Sequence, residues 1–314
     1  MKTAVVIVSY NSAAYLAKCL NHVEAQTWHP DAIVIVDNNS TEEATLQLLK
    51  ELDNFQVIRL DENLGYGGAI NRAADQLTEF DFLATLNPDA FPDPEWLEKL
   101  MTAAARYPLY GSFACLTLKA QDRKIIDGAG DVLHISGIPW RRYHDRYLDE
   151  VDLYDEPVFS ACGGAALYRL SAFRKVRGFD EKFFMYVEDI DLGFRLQLSG
   201  APCRFVREAI ALHVGSGTTG KDSEFNIYHG HRNLTAAYLK NMPTTLLIIT
   251  LPLHIIASLA AIFVVSLRGK ARSIFRAKLD ALLNAPIQIS QRNQVQDVVS
   301  SKYIWKLLKK WPLR

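Results

Sequence analysis

Four runs rich in β-branched residues, TAVVIVSY, AIVIVD, FQVIRL and FDFLATLN, alternate with helix-length stretches at 12–26, 41–52 and 66–79. No other feature constrains the chain as strongly. Strands that are apolar on both faces must be covered on both faces, and strand–helix alternation is the pattern of βαβ units in a buried parallel sheet. Sheets of that kind hold ligands at the carboxyl ends of their strands. Each run here ends in polar residues: Ser9-Tyr10-Asn11, Asp37-Asn38-Asn39-Ser40, Asp61-Glu62-Asn63 and Asn87-Pro88-Asp89.

Beyond a helix near 94–106 the pattern shortens. Strands are expected around 111–118 and 132–135, then a Gly-rich SACGGAALYR, an acidic FMYVEDIDLGFR, a strand pair near 203–212 and a helix at 224–240. No Pro/Gly/Ser-rich linker divides these parts. The expectation is therefore an α/β fold with one mixed, mainly parallel central sheet flanked by helices. Residues 1–110 and 111–241 form its two halves, and 242–314 is an appendage.

The appendage begins with PTTLLIITLPLHIIASLAAIFVVSL, residues 243–267, which contain no Lys, Arg, Asp or Glu. At ~1.5 Å per residue this is long enough to cross a ~30 Å hydrocarbon layer. Pro252 and His254 argue for a break in it, so a re-entrant or tilted course competes with a straight span, and a buried core helix is the bland alternative. The formal net charge of the chain is +0, yet 11 Lys and Arg against two acids lie in 268–314. RGKARSIFRAK and KYIWKLLKKWPLR interleave basic and aromatic residues as helices on an anionic leaflet do. Adjacency to the apolar segment favours a membrane over nucleic acid as the partner. The amino-terminal run is a strand rather than a signal peptide, which keeps the body in the cytoplasm, and the four cysteines show no CxxC or zinc spacing and suit reduced thiols.

Within VEDIDLGFR, acids in a first helical turn are ordinary dipole partners, and Asp191 with Arg195 reads as a surface i,i+4 pair. Asp189 fits that account less well, because it turns about 100° from Glu188 and projects over Gly193, where no side chain would block a ligand. A carboxylate there could act as a general base. In NLGYGGAIN, residues 63–71, glycines open a helix after the third strand, either to face phosphate with backbone N–H groups or to let strand and helix pack closely. A dinucleotide dehydrogenase would place its glycines after the first strand, where SYNSA has none. Asp89, behind Pro88 at a strand end, could hold a hard divalent cation that carries phosphate oxygens, or simply make a turn. His213, ending the run before VGSGT, is either a second ligand or structural.

Taken in order, VSYNS, VDNNS, NLGYGGAIN, LNPDA, GGAALYR, GFDEKFFMYVEDIDLGFR and HVGSGT resemble the inverting family 2 glycosyltransferases of GT-A fold, in particular bacterial rhamnosyltransferase-like enzymes of lipid-linked polysaccharide synthesis. The resemblance covers roughly residues 3 to 240. It implies that Ser9 and Asp37 contact the base and ribose, that Asn63, Gly68 and Asn71 contact the nucleotide and diphosphate, and that Gly163, Gly164 and Glu188 line the donor sugar and acceptor. Asp89 would be the surviving acid of the DxD metal motif, its first position here being Asn87, with Mg²⁺ or Mn²⁺ on the diphosphate and His213 as second ligand. Asp189 would be the catalytic base.

The implied activity moves one sugar from a nucleotide-sugar donor to a polyprenyl-diphosphate-linked saccharide at the cytoplasmic face of the membrane. dTDP-rhamnose is the first choice of donor and a UDP-sugar the second. A processive synthase would carry a Gln-x-x-Arg-Trp motif, which is absent. An idle sugar-binding module would have lost Asp89 or Asp189, and a nucleotidylyltransferase would want a basic, Gly-rich loop after its first strand.

Overall fold

The computed structural model describes residues 1–52, 55–215, 223–292 and 298–310. Residues 216–218 of the HVGSGT motif and the final four residues lie outside them. The first half runs β1 (Thr3–Ser9), α1 (Ala13–Glu24), β2 (Ala32–Asp37), α2 (Glu43–Lys50), β3 (Gln56–Arg59), α3 (Gly65–Gln76), β4 (Phe82–Leu86), β5 (Ala90–Pro92) and α4 (Trp96–Arg106). All seven residues of β1 are buried. Val6 and Val8 join Val34, Val36 and the α3 residues Ala69, Ile70 and Ala73 in one core. Val5 and Ile7 join Ile35, four α1 residues and Trp96, Leu97 and Leu100 of α4 in another. Alternate side chains of one strand thus serve two cores, which is why the run is uniformly apolar. On α1 the buried set is Leu16, Cys19, Leu20 and Val23, a single i, i+3, i+4, i+7 stripe.

The second half contains β6 (Ser112–Lys119), β7 (Asp122–Ala129), β8 (Asp131–Leu133), β9 (Pro139–Arg141), β10 (Pro157–Val158), β11 (Ala165–Arg169), α5 (Leu170–Lys175), α6 (Glu188–Leu198) and β12 (Cys203–His213). The sheet order is β10-β12-β6-β11-β4-β1-β2-β3, with β5 on β12 and β7 on β6, while β8 and β9 form a separate hairpin. The sheet is mixed as expected, but not mainly parallel throughout. Parallel pairing holds from β3 to β4 and between β6 and β12, whereas β11 runs antiparallel to both its neighbours. The expected strand pair near 203–212 is the one strand β12, its register shifting between Val206 and Ile210.

Four helices and a short one follow: α7 (Glu224–Asn241), α8 (Thr244–Leu267), α9 (Ala271–Leu283), α10 (Ala285–Ser290) and α11 (Ser301–Leu307). The break expected at Pro252 does not occur, and α8 passes through it as one helix. Thr250 and His254, on either side of the exposed Pro252, are tied to the body: Tyr238 Oη lies 2.8 Å from Thr250 Oγ1, and His254 Nδ1 lies 2.7 Å from Ser136 O. Nor is α8 a core helix of this chain, since it buries only Leu246, Thr250 and His254. Ile256, Leu259 and Phe263 stand 62%, 61% and 65% exposed.

The basic tail departs further from expectation. Instead of lying apart, α11 returns to the body and buries Ile304 and Leu308 with Leu133, Ile190, Phe194 and Leu198. Ile304→Ala should therefore cost about 2–5 kcal/mol of stability, the range for truncating a fully buried aliphatic side chain, measured by urea unfolding. A tail resting on the surface would give a change within about 0.5 kcal/mol.

Candidate active site

The segment leading into α6 is strained. Phe184, Tyr186 and Val187 have φ of 64°, 69° and 70°, a left-handed conformation that costs a bulky or β-branched residue of order 1–3 kcal/mol. Such backbone persists only where its surroundings over-determine it. Asn233 of α7 does so: its Nδ2 is 2.8 Å from each of the carbonyl oxygens of Phe183, Met185 and Tyr186. Tyr66 N also donates to Phe184 O at 2.9 Å.

Asp189 follows immediately. Its Oδ1 accepts from Ile190 N at 2.8 Å and its Oδ2 from Gly163 N at 3.2 Å. The carbonyl of Gly163 is fixed in turn by Tyr66 Oη and by Thr85 Oγ1 at 2.7 Å. One residue on, Gly164 O accepts from Asn87 N at 2.8 Å, and a Cβ on Gly164 would lie 2.9 Å from Asn87 Nδ2. The antiparallel β4–β11 pair therefore joins the Asn87-Pro88-Asp89 turn to the Asp189 carboxylate through two peptides. Gly193 is not the open slot expected beneath Asp189, since a Cβ there would meet Ser160 Cβ at 2.3 Å. It lets α6 approach the 160 segment closely.

Glu188 is buried, and its Oε2 has no hydrogen-bond partner among the described residues. Burial, reinforced by the charge of Asp189, pushes its carboxyl well above the usual carboxylate range. Asp191 and Arg195 are not the surface pair expected. Their side chains are 0% and 5% exposed and 2.7 Å apart. Lys240 Nζ and Asn241 Nδ2 of α7 also reach Asp191, at 3.0 and 2.7 Å. Burial alone would raise the Asp191 pKa, but Arg195 and Lys240 outweigh it and hold the group at about 2.

At the other end of the Asn87-Pro88-Asp89 turn, Asp89 Oδ1 faces His213 Nε2 at 3.5 Å, and His213 Nδ1 is 2.9 Å from Asp127 Oδ2. Arg141 Nη1 donates to the same Asp127 oxygen at 2.5 Å. Asp131, one hairpin strand away, accepts from Ser160 Oγ at 3.1 Å, and burial together with the charge of Asp189 raises it to about 8. None of Asp127, Asp131 and Arg141 was anticipated. The stretch DGAGD holds the signal, two acids around two glycines, with Gly130 at φ +74° and a Cβ on Gly128 3.2 Å from Arg141 Cδ.

The residues expected to bind nucleotide divide into two groups. Asp37 is fully buried at the end of β2, beside Ser9 in register. Its Oδ1 accepts from Ser40 N, while Oδ2 faces Arg59 Nε at 3.4 Å and lacks a hydrogen bond, an open acceptor valence. The others are engaged internally. Ser9 Oγ is 2.7 Å from Ser12 Oγ, and Asn63 Oδ1 accepts from Gly65 N and Asn38 Nδ2. The amide of Asn71 spans Phe179, donating to its O and accepting from its N, both at 2.9 Å. A Cβ on Gly68 would sit 2.8 Å from Leu64 Cβ, so close packing is what that glycine serves.

Among the described residues no three His, Cys, Asp or Glu side chains converge as a ligand group. Asp89 and His213 nevertheless suit a hard cation that completes its shell with phosphate oxygens and water, because such ions commonly take only one or two protein ligands. Asp127 holds Nδ1 and turns Nε2 toward Asp89, the arrangement that orients a ligating histidine.

The family model described as glycosyl transferase family 2 matches residues 4–177. The chain belongs to that family. A second model, glycosyl transferase family group 2, matches residues 143–267. This family 2 glycosyltransferase is 30% identical over 250 residues to an N-acetylglucosaminyl-diphospho-decaprenol L-rhamnosyltransferase of Mycobacterium tuberculosis, covering 73% of this chain and 81% of that one. Its fold is similar to GalNAc-T7 with UDP, GalNAc and Mn²⁺, with a TM-score of 0.60, 16% identity and coverage of 76% and 48%. It is also similar to a mannosyltransferase of Pyrobaculum calidifontis in complex with GDP-Man and Mn²⁺, with a TM-score of 0.54, 13% identity and coverage of 93% and 84%. The GT-A fold is thereby established.

Burial lowers the pKa of His213, but the hydrogen bonds and charges of Asp127 and Asp89 prevail and raise it to about 9. A base raised in this way from 6.5 stabilises the metal-free protein fully below pH 6.5, and that contribution is lost as pH rises through 9. A histidine-selective NMR titration should show His213 protonated at pH 7.5 in the metal-free enzyme, and Asp127→Asn should bring its titration down toward 6.5. A wild-type imidazole that is neutral at pH 7.5 would contradict the electrostatic picture.

Proposed function

We propose that this glycosyltransferase moves one sugar, rhamnose in the first instance, from a nucleoside-diphosphate donor to a hydroxyl of a polyprenyl-diphosphate-linked saccharide, with inversion at the anomeric carbon. The main structural support is the β4–β11 junction, where the Asp89 turn and the Asp189 carboxylate meet through Gly163 and Gly164. The Mycobacterium tuberculosis relative, by its name, supports both the rhamnosyl group and the lipid-linked acceptor.

Asp37, with its unsatisfied buried oxygen, holds the nucleoside. Asp89 and His213 would hold Mg²⁺ or Mn²⁺, an ion that would supply positive charge to offset that on the departing diphosphate. An Asp189 oxygen takes the proton of the acceptor hydroxyl as the hydroxyl oxygen bonds to the anomeric carbon. The bond from that carbon to the diphosphate breaks, and its electron pair leaves with the nucleoside diphosphate. The N–H groups of Gly163 and Ile190 keep the carboxylate aimed, and burial with the charge of Asp189 raises the Glu188 carboxyl beside it, which favours its neutral form. Asp189→Asn should abolish turnover while donor affinity, read by calorimetry, stays within about threefold, because the amide keeps the shape and loses the basic oxygen. Activity within a few-fold of wild type would remove Asp189 from the role.

The same reading puts the enzyme on the cytoplasmic leaflet, with α8 lying along it rather than crossing. Its inner strip Leu246, Thr250, His254 and Ser258 faces the body, with Lys278 of α9 donating to Ser258 Oγ at 3.1 Å. The nine residues beyond span only ~14 Å at 1.5 Å each, about half of a ~30 Å hydrocarbon layer. The exposed faces of α8 and α9 continue one another through Phe263, Leu267, Phe275 and Leu279. Membranes should retain the full chain through a high-salt wash and release it in detergent, since apolar insertion is not screened. A cysteine placed at Ser266 should remain unlabelled by an impermeant maleimide added from the extracytoplasmic side, whereas labelling from that side would show a spanning helix.

A further inference from the structure

A cavity of about 500 Å³ lies between α7 and α9, lined by Glu224, Phe225, Tyr228, His229, Arg272 and Arg276 among others. Nothing in the mechanism above uses it. Two features fix its surroundings. On the inner side, Phe225 packs against Phe184 and Tyr186 with ring centroids 6.2 and 6.4 Å apart, so the cavity shares a wall with the strained segment that ends at Asp189. On the outer side, Arg272 and Arg276 share α9 with Phe275 and Leu279, each 57% exposed, so the rim is also the edge of the apolar surface.

Its chemistry is that of a phosphate site with aromatic walls. Arg272 has no ion-pair or hydrogen-bond partner among the described residues. Arg276 is only loosely paired, 3.8 Å from Asp280 and over the Tyr228 ring at 5.1 Å. Asp280 is in any case bonded by Tyr228 Oη at 2.6 Å. Arg268 and Lys270, likewise without ion-pair partners among the described residues, precede Arg272 in the turn after α8. Among the described residues Glu224 is the one acid on the lining. His229 Nδ1 is buried and finds no hydrogen-bond partner among them, and burial together with Arg232 holds the ring neutral, at about 4. An uncompensated guanidinium calls for an oxyanion, and the orphaned Nδ1 of the neutral His229 ring donates to one in its Nδ1–H tautomer.

We propose that this cavity takes the diphosphate of the lipid-linked acceptor, its polyprenyl chain lying along the exposed face of α8 and α9 and its saccharide passing Phe225 and Tyr186 toward Asp189. The assignment rests on the acceptor class proposed above and adds where that acceptor is gripped. Bulk anionic phospholipid presents the same phosphate chemistry, and the test separates the two sources.

The full chain in nanodiscs is assayed with a polyprenyl-diphosphate-linked saccharide, as wild type, as Arg272→Ala/Arg276→Ala and as Arg272→Lys. In parallel, flotation is measured with phosphatidylcholine vesicles containing either undecaprenyl diphosphate or phosphatidylglycerol at matched charge. The double variant should raise the acceptor KM at least about tenfold, as expected for two lost charge-assisted hydrogen bonds, with the donor KM within twofold. Arg272→Lys should keep most of the affinity, and wild type should prefer diphosphate vesicles, a preference the double variant loses. An unchanged acceptor KM, or equal loss of binding to both vesicles, would overturn the proposal, the latter by showing a bulk-lipid contact. Wild type that prefers diphosphate vesicles through these arginines yet transfers no sugar to the lipid-linked acceptor would leave the cavity assignment standing and refute the acceptor reading instead.

Discussion

The Gly163-Gly164 pair is the point on which the rest depends. Four groups bond to its backbone: Thr85 of β4 and Tyr66 of α3 donate to the Gly163 carbonyl, Asp189 of α6 accepts from the Gly163 N–H, and Asn87 N donates to the Gly164 carbonyl. A side chain at Gly164 would collide with Asn87, and one at Gly163 would come within 3.1 Å of the Tyr66 ring. Two glycines in sequence are thus what allow an antiparallel strand to enter a parallel sheet close enough to join the Asp89 turn to the Asp189 carboxylate. The fold's mixed character is therefore what assembles the site.

The Asp189 end of the site is held by ion pairing that water does not reach. Asp191, Arg195 and Lys240 are buried together, and removing one partner of such a group typically costs about 3–5 kcal/mol by stranding the others. Because Lys240 and Asn241 end α7, this network fixes the amino terminus of α6 to the helix that also carries Asn233, the clamp on the strained turn. The same α7 packs on α9 and, through Tyr238 stacked 4.0 Å from His254, on α8. A single helix therefore couples the geometry of Asp189 to the apolar helices, and the cavity between α7 and α9 sits on that coupling.

What could be read from the sequence follows from how burial writes itself into residue types. Strands covered on both faces must be apolar throughout, so β1, β2 and β4 stood out, and the acids at the ends of such runs, Asp37 and Asp89, were visible against them. Asp189 was legible as one of three acids in a crowded turn, but its setting was not, because Gly193 serves Ser160 and the carboxylate is aimed by Gly163, 26 residues away. Asp127 lies on β7, paired with β6, and Asp131 and Arg141 lie on the separate β8–β9 hairpin, while His213 is 86 residues beyond Asp127, so local pattern could not bring them together. Gly68 and Asn71 show the opposite limit: a Gly-rich helix start reads alike for phosphate and for close packing, and the contacts with Leu64 and Phe179 are invisible in it. The tail was ambiguous for the same reason, since a basic and aromatic helix reads alike whether it rests on lipid or docks Ile304 and Leu308 into a core.

The central claim is that Asp89 and Asp189 are the two poles of one transfer site. Diffraction from crystals grown with Mn²⁺ and a non-reacting nucleoside-diphosphate sugar tests it directly. The account predicts an anomalous peak bonded to an Asp89 oxygen and to His213 Nε2, with the diphosphate on it and the anomeric carbon facing the Asp189 carboxylate. Manganese bound away from Asp89, or an anomeric carbon turned from Asp189, would contradict it.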